Sequence, residues 1–306
     1  MLIKLYNNLL ALVLMMAAGA LLARTGFIDS KMRQGLNRLI FAFTLPLLVF
    51  SSMQSSITRE LCLTSVYPLA FGAGLSLLNG VSAYLLGKLF RTPEAERPLL
   101  AFMNMFGNNL YLALPMVTAL FGAESAATVL LYTFGSDVVF WTLGVGMLQK
   151  QRSFALKDLR HLLNPTLVGL LLGTLAGLAG IQFPFAISEA ISKMGSLTTP
   201  LSLMLTGAAL AEIKIGENAG GRETLALLCG KLVLSPAIAA GVAMLIGLQG
   251  VMAEILVIMA SMPTIVRSIV LTEHYGWDSR KTALGVLVTT IVCFVTIPLV
   301  LMLVQR

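Results

Sequence analysis

Three charged side chains, Asp137, Lys231 and Arg267, lie inside stretches of sequence that are otherwise apolar. An ionisable group at membrane depth costs about 3 kcal/mol on insertion scales, so it marks a place where something is bound, coupled or paired. Two interruptions accompany these charges. One reads Gly107-Asn108-Asn109-Leu110-Tyr111-Leu112-Ala113-Leu114-Pro115; the other reads Ser261-Met262-Pro263-Thr264, with Arg267 four residues beyond the proline. Lipid offers no partner to the N–H and C=O groups that a broken helix frees. Such breaks therefore persist only where protein, water or a ligand supplies one. Paired Gly/Pro interruptions at corresponding places in two halves of a chain point to a binding site near the membrane midplane. The candidate contact residues are Asn108, Asn109, Tyr111, Pro115, Pro263, Thr264 and Arg267, with Asp137 as a coupling group or charge partner.

The chemistry these residues offer suits an anion. The fourth and ninth spans are expected to be non-helical over 108–115 and 261–264. Pro115 and Pro263 would then open the second half-helices, where a missing N–H costs nothing. Half-helix N-termini carry free donors and about half a positive charge. The amides of Asn108 and Asn109 either donate to a bound carboxylate or cap the break, and the two tasks are compatible. Arg267 either clamps a carboxylate bidentately or forms a structural ion pair with Asp137. Asp137 either carries a coupling proton or only neutralises Lys231 or Arg267. Lys231, about a third of the way into its span, is expected to snorkel to the cytoplasmic side.

Elements of membrane length must position these groups. The chain has 306 residues, 57% of them hydrophobic and 11% charged, with a mean hydropathy of +0.89. A soluble domain carries about 25% charged residues. Apolar runs of the roughly 20 residues needed to cross a bilayer predict spans over about 5–24, 33–53, 62–90, 98–121, 124–149, 162–182, 185–211, 223–249, 250–275 and 280–305. The N-terminal run exceeds a signal-peptide core and leads into Arg24, so it reads as a retained first span. Connections are short, the longest running from Lys150 to His161, and the chain reads as one transmembrane domain over 1–306. Cys62, Cys229 and Cys293 fall in separate spans without metal or disulfide spacing. Neither catalytic nor nucleotide-binding motifs occur, so an enzyme or an ATP-driven pump has no visible chemistry. The 16 methionines read as lipid-facing or core filler. No metal or cofactor is expected, with H⁺ or Na⁺ coupling left open.

Lys and Arg set the orientation. Of the 21 basic residues, fifteen lie in connections after odd-numbered spans: Arg24, Lys31, Arg33, Arg38, Lys88, Arg91, Arg97, Lys150, Arg152, Lys157, Arg160, Lys214, Arg222, Arg280 and Lys281. Four lie on the opposite side: Lys4, Arg59, Lys193 and Arg306. The bias places both termini outside. Five spans per half then give the halves, 1–149 and 162–306, inverted topology. Their landmarks keep the same order: Thr44-Leu45-Pro46 before Pro115 in the first, Thr198-Thr199-Pro200 before Pro263 in the second.

The run Gly107–Pro115 resembles the GN-x-x-Y-L-x-LP pattern of the auxin efflux carrier family, bacterial branch. Phe140-Trp141-Thr142-Leu143-Gly144, Leu163-Asn164-Pro165, Gly195–Leu201 and Met262-Pro263 with the helix ending near Tyr275-Gly276 are also similar to it. The resemblance covers the whole chain. It implies an all-α polytopic membrane protein of ten transmembrane helices, in a five-plus-five inverted repeat with broken, crossing helices four and nine. That fold is shared with bile acid–sodium symporters. It also implies secondary transport of a small organic anion, a mono- or dicarboxylate such as malonate, in the bacterial inner membrane. The family commonly has an uncharged polar residue where this chain has Arg267. The expected partners are the anion and the lipid bilayer, with no nucleic acid, and a homodimer stays open. The alternative is a Na⁺- or proton-coupled symporter of organic anions. A channel or sensor ranks lower, because polar residues concentrate at two breaks rather than along a continuous stripe.

Overall fold

The computed structural model describes residues 2–56, 66–149, 165–211 and 221–304. Cys62, His161, Leu163, Asn164, the connection from Lys150 to His161, and the basic residues Arg59, Lys150, Arg152, Lys157, Arg160, Lys214 and Arg306 lie outside the described residues. Among the described residues the regular structure is helical throughout. The helices are α1 (Leu2–Arg24), α2 (Ser30–Leu39 continuing through Leu45–Ser56), α3 (Val66–Leu89), α4a (Arg97–Met105) and α4b (Leu114–Phe121). Next come α5 (Ala126–Val139 continuing to Val145–Leu148), α6 (Pro165–Leu178), α7a (Phe185–Ser196) and α7b (Thr198–Ala211). They are followed by α8 (Gly221–Leu228 continuing through Ser235–Leu245), α9a (Gly250–Ala260), α9b (Ser268–His274) and α10 (Ser279–Val304). Among the described residues, six helical stretches are long and apolar enough to cross a membrane: Ser30–Ser55, Val66–Leu89, Ala126–Leu148, Phe185–Ala211, Gly221–Leu245 and Ser279–Leu303.

Proline shapes the interior of three of these helices. It lacks an N–H, and its ring clashes with the carbonyl four residues earlier. The turn upstream relieves the clash by widening to π geometry. Such π-turns span Ile40–Thr44, Asn109–Ala113 and Cys229–Leu234, each ending two residues before Pro46, Pro115 and Pro236 respectively. A fourth, Phe140–Gly144, has no proline after it.

The chain divides into two compact units, Met1–Tyr67, Leu110–Leu131 and Arg160–Glu212 in the first, and Pro68–Asn109, Tyr132–Leu159 and Ile213–Arg306 in the second. In the first unit, α1 and α7b touch backbone to backbone. A Cβ on Gly207 would stand 1.8 Å from the Met16 carbonyl oxygen, and one on Gly19 would stand 1.9 Å from that of Met204. Glycine is required at both points, because a rigid helix backbone cannot yield. The second unit has an apolar core built on Phe102, Phe106 and Phe140, with Leu99, Met103, Val145, Leu148 and Leu227 around them. The Phe106 and Phe140 rings meet edge to face, 4.8 Å between centroids, a favoured aromatic geometry.

Candidate functional site

Both expected interruptions exist, and the second unit brings them together. The first is shorter than the sequence suggests: only Phe106, Gly107 and Asn108 leave the helix, and the π-turn resumes at Asn109. Pro115 therefore sits inside a helical run rather than at its opening, because the π-turn upstream already accommodates it. The second interruption is longer, covering 261–267, and α9b begins at Ser268 with Arg267 as its N-cap residue. Pro263 does not open that half-helix either. It lies in the irregular stretch, where its carbonyl oxygen accepts the Asn108 N–H at 2.8 Å.

The two breaks pair as a short antiparallel bridge between Gly107 and Thr264. The Ile265 N–H donates to the Phe106 oxygen at 3.2 Å. Each break thus supplies backbone partners that lipid cannot. Gly107 is needed for the close approach, since a Cβ there would stand 3.0 Å from Met262 Cβ. Thr264 is fully buried; its hydroxyl donates to the Met103 oxygen at 3.1 Å, and its N–H to Thr289 Oγ1 at 3.2 Å. Its contacts in this structure are those of a fastening.

A helix leaves its last four carbonyls unsatisfied, and here the ends of α4a and α9a are capped by one helix. Lys231 and Ser235, one turn apart on α8, reach the two ends. Lys231 Nζ donates to the Asn104 oxygen at 2.8 Å, and Ser235 Oγ donates to the Ala260 oxygen at 2.8 Å. Lys231 is 2% exposed, so it does not snorkel. Its ammonium meets the negative end of a half-helix, where a cation is favoured. Sequence reasoning missed this role. The available signal was Lys231 four residues before Ser235-Pro236 in an otherwise apolar run.

Arg267 is paired with Asp137, and its guanidinium stacks on the Phe140 ring at 4.0 Å. The pair is partly accessible, with side chains 29% and 19% exposed. Asp137 therefore neutralises Arg267, not Lys231. Several polar atoms around the crossing are buried without a hydrogen-bond partner: Asn108 Nδ2, Asn109 Oδ1, Asn104 Oδ1, Asn79 Oδ1 and Arg267 Nε. A buried group left so costs about 1–3 kcal/mol. Tyr111 and Pro115 fall in the first unit, where the Tyr111 hydroxyl donates to Asn37 Oδ1 at 3.0 Å. Asn108, Asn109, Pro263, Thr264, Arg267 and Asp137 fall in the second.

Comparison with known proteins decides the family. A model of the membrane transport protein family matches residues 4–158 and 151–301. The chain belongs to the auxin efflux carrier family of membrane transport proteins. It is similar to an uncharacterized transporter of Methanocaldococcus jannaschii, 24% identical over 277 residues covering 87% of each chain. An uncharacterized transporter of Methanothermobacter thermautotrophicus is 23% identical over 297 residues, covering 96% of each. The protein is accordingly an integral membrane transporter, not an enzyme.

Proposed function

We propose that the protein is a secondary carrier of a small organic anion, a mono- or dicarboxylate, working by alternating access around the crossing of α4 and α9. The observation carrying this reading is Asn108. Its backbone is tied to Pro263 while its buried side-chain Nδ2 has no partner, and an unpaired donor at a helix break suits a carboxylate oxygen. The Arg267–Asp137 pair lies in the same unit and is partly accessible, so a second carboxylate could exchange with Asp137 for the guanidinium.

Ten spans in two inverted halves belong to the same reading. Two pairs of landmarks from opposite halves meet: Thr44 with Thr198, at 2.9 Å between hydroxyl oxygens, and Gly107 with Thr264. The basic-residue bias supports termini on the extracytoplasmic side of a bacterial inner membrane.

Purified protein in proteoliposomes, offered labelled malonate and a labelled monocarboxylate under imposed Na⁺ and pH gradients, tests the proposal. Saturable uptake that Asn108→Ala weakens is expected. Absence of uptake of either anion under every gradient would overturn it.

A further inference from the structure

Among the described residues, Lys231 has one hydrogen bond, to the Asn104 carbonyl oxygen at the end of α4a, and no ion pair. An ammonium carries three N–H donors. Two of them therefore have no protein partner among the described residues, although the side chain is buried. The carboxylates that could answer it are committed elsewhere: Asp137 to Arg267, and Glu96 to Lys281. The helix end that Lys231 meets offsets about half a charge. Arg267 and Asp137 cancel, so the crossing keeps a net positive charge, and a buried cation without its counter-charge is costly.

That charge lies against the paired breaks. Lys231 Nζ stands 3.7 Å from the point a Cβ on Gly107 would occupy, and Gly107 is the residue bridged to Thr264. The next residue, Asn108, holds the buried Nδ2 that has no partner. A carboxylate answers an ammonium's charge and its spare donors together. We propose that Lys231 is the charge partner of the transported anion, and that the site accepts one net negative charge: a monocarboxylate, or a dicarboxylate that retains one proton. A second negative charge would have to break the Arg267–Asp137 pair, leaving Asp137 without its partner. The inference rests on the carrier reading above and narrows its substrate class.

Binding of malonate and of its monoamide, malonamate, to the purified full-length protein tests it by isothermal titration at about pH 8. At that pH malonate carries two charges and malonamate one, at nearly the same size. Wild type should bind malonamate tighter than malonate by about tenfold or more. Lys231→Met, of similar length and uncharged, should lose malonamate affinity by about tenfold or more. A lysine that only caps α4a predicts a lower Tm for Lys231→Met with an unchanged malonamate Kd. That result overturns the inference while the carrier reading stands, and so does wild-type binding of malonate as tight as that of malonamate. Lys231→Gln, which keeps a donor for the Asn104 carbonyl, replaces Lys231→Met if the latter is not recovered as monodisperse protein; if neither is recovered, the wild-type comparison decides. Wild type that binds neither anion fails the carrier reading, and this inference with it.

Discussion

In the first unit Thr198 donates to Thr44, and Gly195 of α7a lies so close to α2 that a Cβ there would stand 2.8 Å from the Leu48 backbone. In the second unit, Asn108 and Thr264 lie in two helix breaks that pair by backbone, beside a buried lysine and an arginine–aspartate pair. The landmarks meet in both places, but the materials differ. The buried side-chain atoms without a hydrogen-bond partner, on Asn79, Thr92, Asn104, Asn108, Asn109, Arg267 and Thr282, all belong to the second unit. Among the described residues the first unit has none. Its helices are tightened by glycine and sealed by hydroxyls, which leaves little capacity for polar chemistry. The second unit keeps unsatisfied amides at a cost in stability, as expected where a ligand completes the bonding. On the function proposed above, the first unit serves packing and the second carries the anion site.

Substitutions can break that comparison, beginning with the largest effect. Gly207→Leu places atoms on the Met16 carbonyl and should cost more than the about 1–3 kcal/mol of ordinary overpacking. Recovery of monodisperse protein by size-exclusion chromatography should collapse. A variant eluting and melting like wild type would mean α1 and α7b are not packed as described. In the second unit, Arg267→Gln leaves the Asp137 carboxylate without its partner. The expected loss is about 1–3 kcal/mol, below the 3–5 kcal/mol of a fully buried pair because both side chains are partly accessible. The double variant Asp137→Asn/Arg267→Gln should recover most of the lost Tm. Affinities measured on the same proteins sharpen the role of the pair. A clamp loses dicarboxylate binding more than monocarboxylate binding, whereas a purely structural pair loses both equally and regains both in the double variant.

Asn108→Ala should act oppositely to Gly207→Leu. It removes an unpartnered donor, so Tm should stay level or rise slightly, while anion affinity falls by about 1–3 kcal/mol, read as a Kd shift by isothermal titration. A fall in Tm with unchanged affinity would make Asn108 a cap only. The smallest effect belongs to Thr198→Val, which removes one buried hydroxyl bond in the first unit. Its Tm should drop by the equivalent of about 1 kcal/mol, with uptake unchanged. Lost uptake at unchanged Tm would place chemistry in the unit described here as packing.

Membrane class, helical structure and the two interruptions were legible in the sequence alone. They depend on local composition: apolar runs of spanning length, and Gly or Pro wherever the helix cannot continue. That the breaks should be mutual was also legible, since a lone break in lipid has no partner. Three things were not. The extent of each break depended on how a proline is absorbed: a π-turn keeps Pro115 within a helix, while the pairing with Asn108 holds Pro263 in irregular backbone. Whether Asp137 faces Lys231 or Arg267 depended on side-chain direction across α5, α8 and α9, which spacing along one chain does not encode. The burial of Lys231 depended on α4a ending within reach of α8, because an ammonium stays in the interior only where a helix end or another set of oxygens receives it.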